Sequence, residues 1–495
     1  MSLKFYHIIL ILSVVIGGLI YVLHLFGLVT AANEVYARFV AMGVFIASAG
    51  ILGIGKIKNH HFSKNDFYKN NTLIIISLIL LLSSLFIYEK ISYYLIGFFA
   101  FAVLLRFIYT KKFYFPPKFF YFIILYGLLM LFGTIGTRHG FHFPDKILSF
   151  FVLPLAFCCF RLSKKSLLFV CEIFVKMGII FLAISILYWW FNFLHLHADF
   201  TNWIFGKSNY SAHMFGWLKQ AKIMLSYQSN DITVLQNFPY FNAYFFVTTW
   251  SHHLHPTANA LVILGGLIAC FFLFFKKNVS VSKWDMMLYV AFGLFVILLQ
   301  QSRIGLVGFA VTVSIAFFYY FKIKTKYFKI FLVIYILTAT ASLVVFNHKV
   351  ENFINDDIRS TYRRIGISYI KEHFWWGCGF EQQQFVLNQQ AEKIKDTLPD
   401  AVYSRINLPI QHVHNQFLGD MVQYGIWGLI ALLAFLVSMA YYAIKNKSYL
   451  LQSFLCFIFC FMLIEEGEFI VMLILIMFFT AISENKNKLN KIYKN

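Results

Sequence analysis

The chain has 495 residues, of which 60% are hydrophobic, 20% aromatic and only 13% charged, with a mean hydropathy of +0.71. A soluble domain carries about a quarter charged residues, so no water-soluble fold hides this much apolar surface, and 27 Gly with 8 Pro exclude collagen-like or low-complexity chains. The net charge of +21 reflects Lys and Arg gathering in cytoplasmic loops, so the expected surroundings are a lipid bilayer and no nucleic acid.

In chain order, apolar windows predict helices near 6–29, 35–55, 72–88, 91–110, 119–136, 147–162, 166–194 and 255–275. Six more follow near 285–300, 304–321, 329–346, 416–442, 449–464 and 468–483. The runs are continuous, not alternating, which argues against a β-barrel. In lipid only helices satisfy every backbone group locally. The expected fold is all-α: a polytopic transmembrane helix bundle forming one integral membrane domain over 1–495. It has about 14 spans, or 12 if the short ones re-enter. The first apolar run has no A-x-A-like cleavage site and reads as a retained span.

Alternate connections are rich in cations: Lys56/Lys58/Lys64/Lys69, Arg106/Lys111/Lys112/Lys118, Arg161/Lys164/Lys165, Lys276/Lys277/Lys283, Lys322/Lys324/Lys326/Lys329 and Lys445/Lys447. The tail repeats the pattern with Lys486/Lys488/Lys491/Lys494, and the intervening short loops carry few cations. This asymmetry predicts cytoplasmic termini and an even number of crossings. Two long connections, 195–250 and 347–415, then fall on the outer side, the second partly helical. Six of seven cysteines lie in apolar stretches and read as packing residues, so no disulfide framework is expected. Glu172 and Lys176, four apart in one span, read as a local ion pair.

Polar groups in such a chain are costly and therefore informative. Gln300-Gln301-Ser302-Arg303-Ile304-Gly305 sits at an outer hinge, where Arg303 either captures phosphate in a bidentate fork or anchors a helix end. In Asp356-Asp357-Ile358-Arg359-Ser360-Thr361-Tyr362-Arg363-Arg364 a helical reading over about 350–373 puts Arg359 and Arg363 on one face. An anion between them would relieve their repulsion; a solvated basic face is the alternative. His414 opens the span near 416 and can accept a proton near neutral pH; Asn415 beside it can orient a sugar or the ring. His252, His253 and His255 invite a zinc reading. Pro256 breaks the helical spacing, however, and substrate-lining or cap roles are preferred. Trp375-Trp376 reads as an interfacial anchor. No nucleotide-binding motif is present.

Together these stretches resemble the O-antigen ligase/polymerase superfamily of polytopic membrane glycan transferases, over roughly residues 250–480. The resemblance rests on Ser302-Arg303-Ile304-Gly305, on Arg359/Arg363 ahead of Gly377-Cys378-Gly379-Phe380, and on His414-Asn415-Gln416-Phe417-Leu418 followed by Gly425 and Gly428. The tryptophan usual about four residues after the loop arginine is absent, and Arg359, Arg363 and Arg364 all remain candidates for that arginine.

The resemblance implies transfer of a glycan from a polyprenyl-diphosphate carrier to an acceptor hydroxyl at the periplasmic face of a bacterial inner membrane. His414 and Arg303 would be catalytic, with Arg359, Arg363, Arg364, Asn415, His255 and Ser302 binding substrate, and with no metal or other cofactor. The donor would be a polyprenyl-diphosphate-linked glycan and the acceptor a glycolipid such as lipopolysaccharide core. A polymerase of the same fold, a protein O-glycosylating relative and a transporter of lipid-linked glycan or anions are the alternatives.

Overall fold

The computed structural model describes residues 71–86, 89–134, 145–196, 256–276, 281–299, 303–321, 357–380, 382–395, 410, 412–464 and 469–492. The expected spans at 6–29, 35–55 and 329–346 and the first long loop, 195–250, lie outside them. Among the described residues the fold is all-helical. The helices are α1 (Asn71–Ser84), α2 (Glu89–Thr110), α3 (Phe119–Phe132), α4 (Asp145–Cys158), α5 (Lys164–Leu196), α6 (Pro256–Phe275) and α7 (Lys283–Leu299). They continue with α8 (Arg303–Phe321), α9 (Asp357–Glu372), α10 (Gln383–Lys393), α11 (Gln416–Tyr424), α12 (Ile426–Lys445), α13 (Tyr449–Ile464) and α14 (Phe469–Ile492). Among the described residues, four segments are long and apolar enough to cross a membrane: Ile91–Thr110, Lys164–Ile186, Ala258–Phe275 and Ile426–Lys445. Six shorter apolar helices accompany them.

The chain forms two compact units, Met1–Ala102 with Leu162–Phe309, and Val103–Arg161 with Ala310–Asn495. In the first, α5 is the axis, packed on α1, α6 and α7. A helix apolar all round must be buried or face lipid, and α5 is almost wholly buried from Ser166 to Leu182. Inside it Lys176 Nζ donates to Glu172 Oε1 at 2.7 Å, the i,i+4 pair expected from the sequence. Tyr289 of α7 is fully buried and donates its hydroxyl to Ile263 O at 3.2 Å. In the second unit α3 packs between α4 and α12, and α13 and α14 close the bundle. Along α12 the exposed side chains are Trp427, Ile430, Leu433, Val437, Tyr441 and Ile444. Their spacing of three and four traces one helical face, apolar as a lipid-facing stripe requires.

One expected span is not continuous. The window 416–442 splits into α11 and α12 at Gly425, whose φ of +64° lies in the left-handed region. Backbone groups freed by such a break need partners, and segment 374–380 supplies them. Cys378 N donates to Val422 O (2.9 Å), Gly379 N to Gln423 O (2.8 Å), and Phe374 O accepts from Ile426 N (2.9 Å). Phe380 N ties the same segment to Gly133 O at the end of α3 (2.9 Å). The two chains lie so close that a Cβ on Gly377 would overlap the backbone of Gln423 and Tyr424, and one on Gly425 that of Trp375. The Gly377-Cys378-Gly379 motif is therefore a brace across a broken helix.

The second long loop folds as α9 and α10, with α9 close to its expected range and α10 unanticipated. Tyr362, Ile365, Tyr369 and Ile370 of α9 share an apolar core with Leu387, Ala391, Ile410, Val413 and Val422. Polar clasps close its edge: Asn388 Oδ1 accepts from Ile410 N (2.9 Å), and Gln390 Nε2 donates to Ser368 Oγ and Glu372 Oε1 (both 2.9 Å). Hydrogen bonds from Gln390 and Lys393 hold the Glu372 carboxyl below the usual range.

Two outcomes follow from this architecture. Gly425→Ala places a side chain at positive φ against backbone and should cost about 1–3 kcal/mol, read as a lower unfolding temperature in detergent micelles. Because the Glu372 value is depressed in the fold, its clasp contributes fully above about pH 4.3, the ordinary Glu value, and is lost as pH falls below it. Amide protection in Gln383–Lys393 should decline over that window in the native chain and change little in Glu372→Gln.

Candidate functional site

A ledge of the second unit is built from α9, the 412–415 turn and the start of α11. Gly366 admits Val413 against α9, since a Cβ there would lie 2.7 Å from Val413 Cγ1. Val413 is fully buried, and this fixes the residue that follows. His414 has φ of +53°, in the left-handed region that a non-glycine residue seldom occupies. Its ring stacks on Tyr362 of α9, with centroids 6.0 Å apart and planes at 14°. Arg363 Nη2 reaches the His414 carbonyl oxygen at 3.5 Å, the edge of hydrogen bonding. Arg363 Nε is buried with no hydrogen-bond partner. An unpaired guanidinium donor beneath a half-exposed imidazole is a poor structural solution and a suitable anion seat.

The three loop arginines are not equivalent. Arg359 and Arg363 are half-buried along one side of α9, whereas Arg364 is exposed. Arg363 is the one that adjoins His414. Arg303 is the first residue of α8 and belongs to the other unit. Its side chain, Ser302 and His255 lie outside the described residues, and so does the side chain of Asp357. His412 is exposed.

Asn415 has a structural task on both ends of its amide. Its backbone is extended and its Oδ1 accepts from Leu418 N at 3.0 Å, capping α11. Its Nδ2 donates to Leu463 O at 3.0 Å, tying the turn to the end of α13.

One feature escaped the sequence reading. Asp420 is 1% exposed on α11, yet its carboxylate is well supplied with donors. Tyr126 Oη of α3 lies 2.9 Å from both oxygens, and Gln416 Nε2 donates to Oδ1 at 2.7 Å. Tyr126, Ile123 and Phe150 also line a small apolar cavity with Phe435, Met462 and Met472. A carboxylate six residues after His414, inside an apolar window, was the available signal; its partner 294 positions away was not readable. The network pins α11, and hence the turn bearing His414, to α3.

The model of the O-antigen ligase family matches residues 288–433, under a third of the chain. The match runs from within α7 to within α12 and contains Arg303, the three loop arginines, the Gly377 brace and His414. It supports a membrane glycan-transferase type of function and agrees with a multipass helical membrane protein. No curated protein matches the chain.

Stability measurements separate these roles. Asn415→Ala should lose about 1 kcal/mol with the cap, and Asn415→Ser, which still caps, should recover part of it. Tyr126→Phe withdraws a donor from a buried carboxylate and should cost about 1–3 kcal/mol. Unchanged unfolding of Tyr126→Phe would mean that the Asp420 network does not brace α11.

Proposed function

We propose that this chain is a glycan transferase of the O-antigen ligase type. It moves a polyprenyl-diphosphate-linked glycan to an acceptor hydroxyl, such as one on lipopolysaccharide core, at the periplasmic face of the inner membrane. The observation that carries the reading is the ledge where Arg363, with its buried unpartnered Nε, adjoins the strained turn of His414. The family match over 288–433 supports it independently.

The chemistry asks little more than those groups. The acceptor oxygen attacks the anomeric carbon, and the bond from that carbon to the diphosphate oxygen breaks with its electron pair. The leaving group is polyprenyl diphosphate, stable enough to depart without strong acid assistance. Guanidinium groups neutralise the charge that grows on it and grip its oxygens in a fork. In this reading Arg363 and Arg359 hold the diphosphate. For Arg303 a catalytic role rests on the Ser302-Arg303-Ile304-Gly305 motif alone. His414 takes the acceptor proton as general base. A left-handed backbone at the base is strain spent on aiming one side chain. Asn415 contributes by fixing the turn.

Purified protein in liposomes with carrier-linked glycan and a glycolipid acceptor tests the assignment. His414→Ala should insert normally and lose at least about a hundredfold in turnover. Arg363→Lys keeps the charge and loses the fork, so turnover should fall about tenfold or more. Activity should persist in EDTA, because cations of the protein neutralise the diphosphate. Near-normal turnover of His414→Ala would remove it as base, and loss of activity on chelation alone would overturn the metal-free scheme. In cells, deletion that leaves long polymer on the carrier fits a ligase; single repeat units would instead mark a polymerase.

A further inference from the structure

A second cationic constellation lies in the α2–α3 connection, on the side that the loop charges assign to the cytoplasm. Arg106 sits in the last turns of α2, and Arg161 follows the end of α4. Arg106 Nη1 reaches Arg161 O at 3.4 Å, and Arg161 Nη1 donates to Phe157 O at 3.2 Å. The Arg161 guanidinium also lies over the Tyr114 ring, 4.9 Å from its centroid. Tyr114 N donates to Cys158 O at 2.8 Å, which lashes the connection to the end of α4. Two guanidinium groups thus converge on one corner. Arg106 Nε is buried there without a hydrogen-bond partner.

The surroundings repeat the message. Lys111, Lys112 and Lys118 are exposed around this corner. The sequence has no Asp or Glu from 91 to 144 or from 146 to 171. The carbonyl ends of α2 and α4 offset part of the charge, about half an elementary charge each. Between the lysines the chain presents Phe113 and Phe115, 50% and 86% exposed, with ring centroids 6.4 Å apart. Tyr109 and Ile108 are exposed just before them. Aromatic rings set among lysines at a helix end suit the headgroup level of a bilayer, where the rings enter the acyl boundary and the cations meet phosphate.

We propose that the α2–α3 corner is a binding site for the headgroup phosphate of an anionic phospholipid. Arg106 and Arg161 form the seat, Lys111, Lys112 and Lys118 the electrostatic rim, and Phe113 and Phe115 the contact with the acyl boundary. The site is independent of the chemistry at His414: it would bind lipid whether or not the chain transfers glycan.

The full-length protein in nanodiscs of phosphatidylcholine with a minority of phosphatidylglycerol provides the test. Native mass spectrometry counts the phosphatidylglycerol retained on release, with inorganic phosphate added in a parallel arm. The wild type should keep phosphatidylglycerol in preference to phosphatidylcholine, and excess inorganic phosphate should not displace it. Arg106→Gln should weaken retention about fivefold, the effect of one cation near an anionic surface, and Lys112→Gln, at an exposed position, by somewhat less. Equal retention of both lipids by the wild type, or undiminished retention in Arg106→Gln, would overturn the proposal. So would displacement by inorganic phosphate, which would make the corner a free-anion site. If Arg106→Gln fails to fold, Lys112→Gln decides: an unchanged lipid preference in that variant overturns the site, and a weakened one supports it.

Discussion

A helix that breaks in an apolar setting leaves amides and carbonyls with nowhere to go, and the second unit of this protein is organised around answering that need. The break lies at Gly425. The answer is a second strand of backbone, 374–380, laid along the carbonyl end of α11 and bonded to it residue by residue. Few side chains fit so close an approach, so glycine is required on both sides of the contact. Once this brace is in place, α9 has a fixed end, α11 a fixed axis, and the short turn between them a defined path. Together with the Asp420 network and the Val413 foothold, it holds Arg363 and His414 in place.

The same economy governs the turn itself. Three consecutive residues divide the work: Val413 is buried as the foothold, His414 is half-exposed in a left-handed conformation, and Asn415 caps the next helix. Strain at His414 is tolerated because both neighbours are over-determined. Arg363 serves this backbone with one nitrogen and leaves another buried and unused. That combination, a rigid turn and an unfinished guanidinium, is characteristic of a site waiting for a charged ligand.

Much of this was legible in the sequence. Among the described residues, continuous apolar runs located most helices to within a few residues, because hydropathy over that length is a strong signal in lipid-like chains, and only the last helix runs well past its window. Spacing of four put Arg359 and Arg363 on one face, and the order of short motifs marked the region that the family model matches. What stayed hidden depended on long-range pairing. The helix break was invisible because Gly425 inside an apolar window does not interrupt hydropathy. Tyr126 and Asp420 are distant in sequence, so neither announced the other. Asn415, expected to orient a sugar or the ring, also caps α11, a local role that polar residues before a helix commonly take.

The tip of the brace carries a further meaning. Phe374, Trp375 and Trp376 are exposed, and Trp376 faces Trp427 with ring centroids 6.4 Å apart. Trp427 begins the apolar stripe of α12. The peptide that mends the broken helix therefore also carries the kind of exposed aromatic rings that suit the headgroup level of a bilayer. With its rings held there, a thicker or thinner membrane would tug through these tryptophans on the ledge that carries His414, which would make bilayer thickness a mechanical input to that turn.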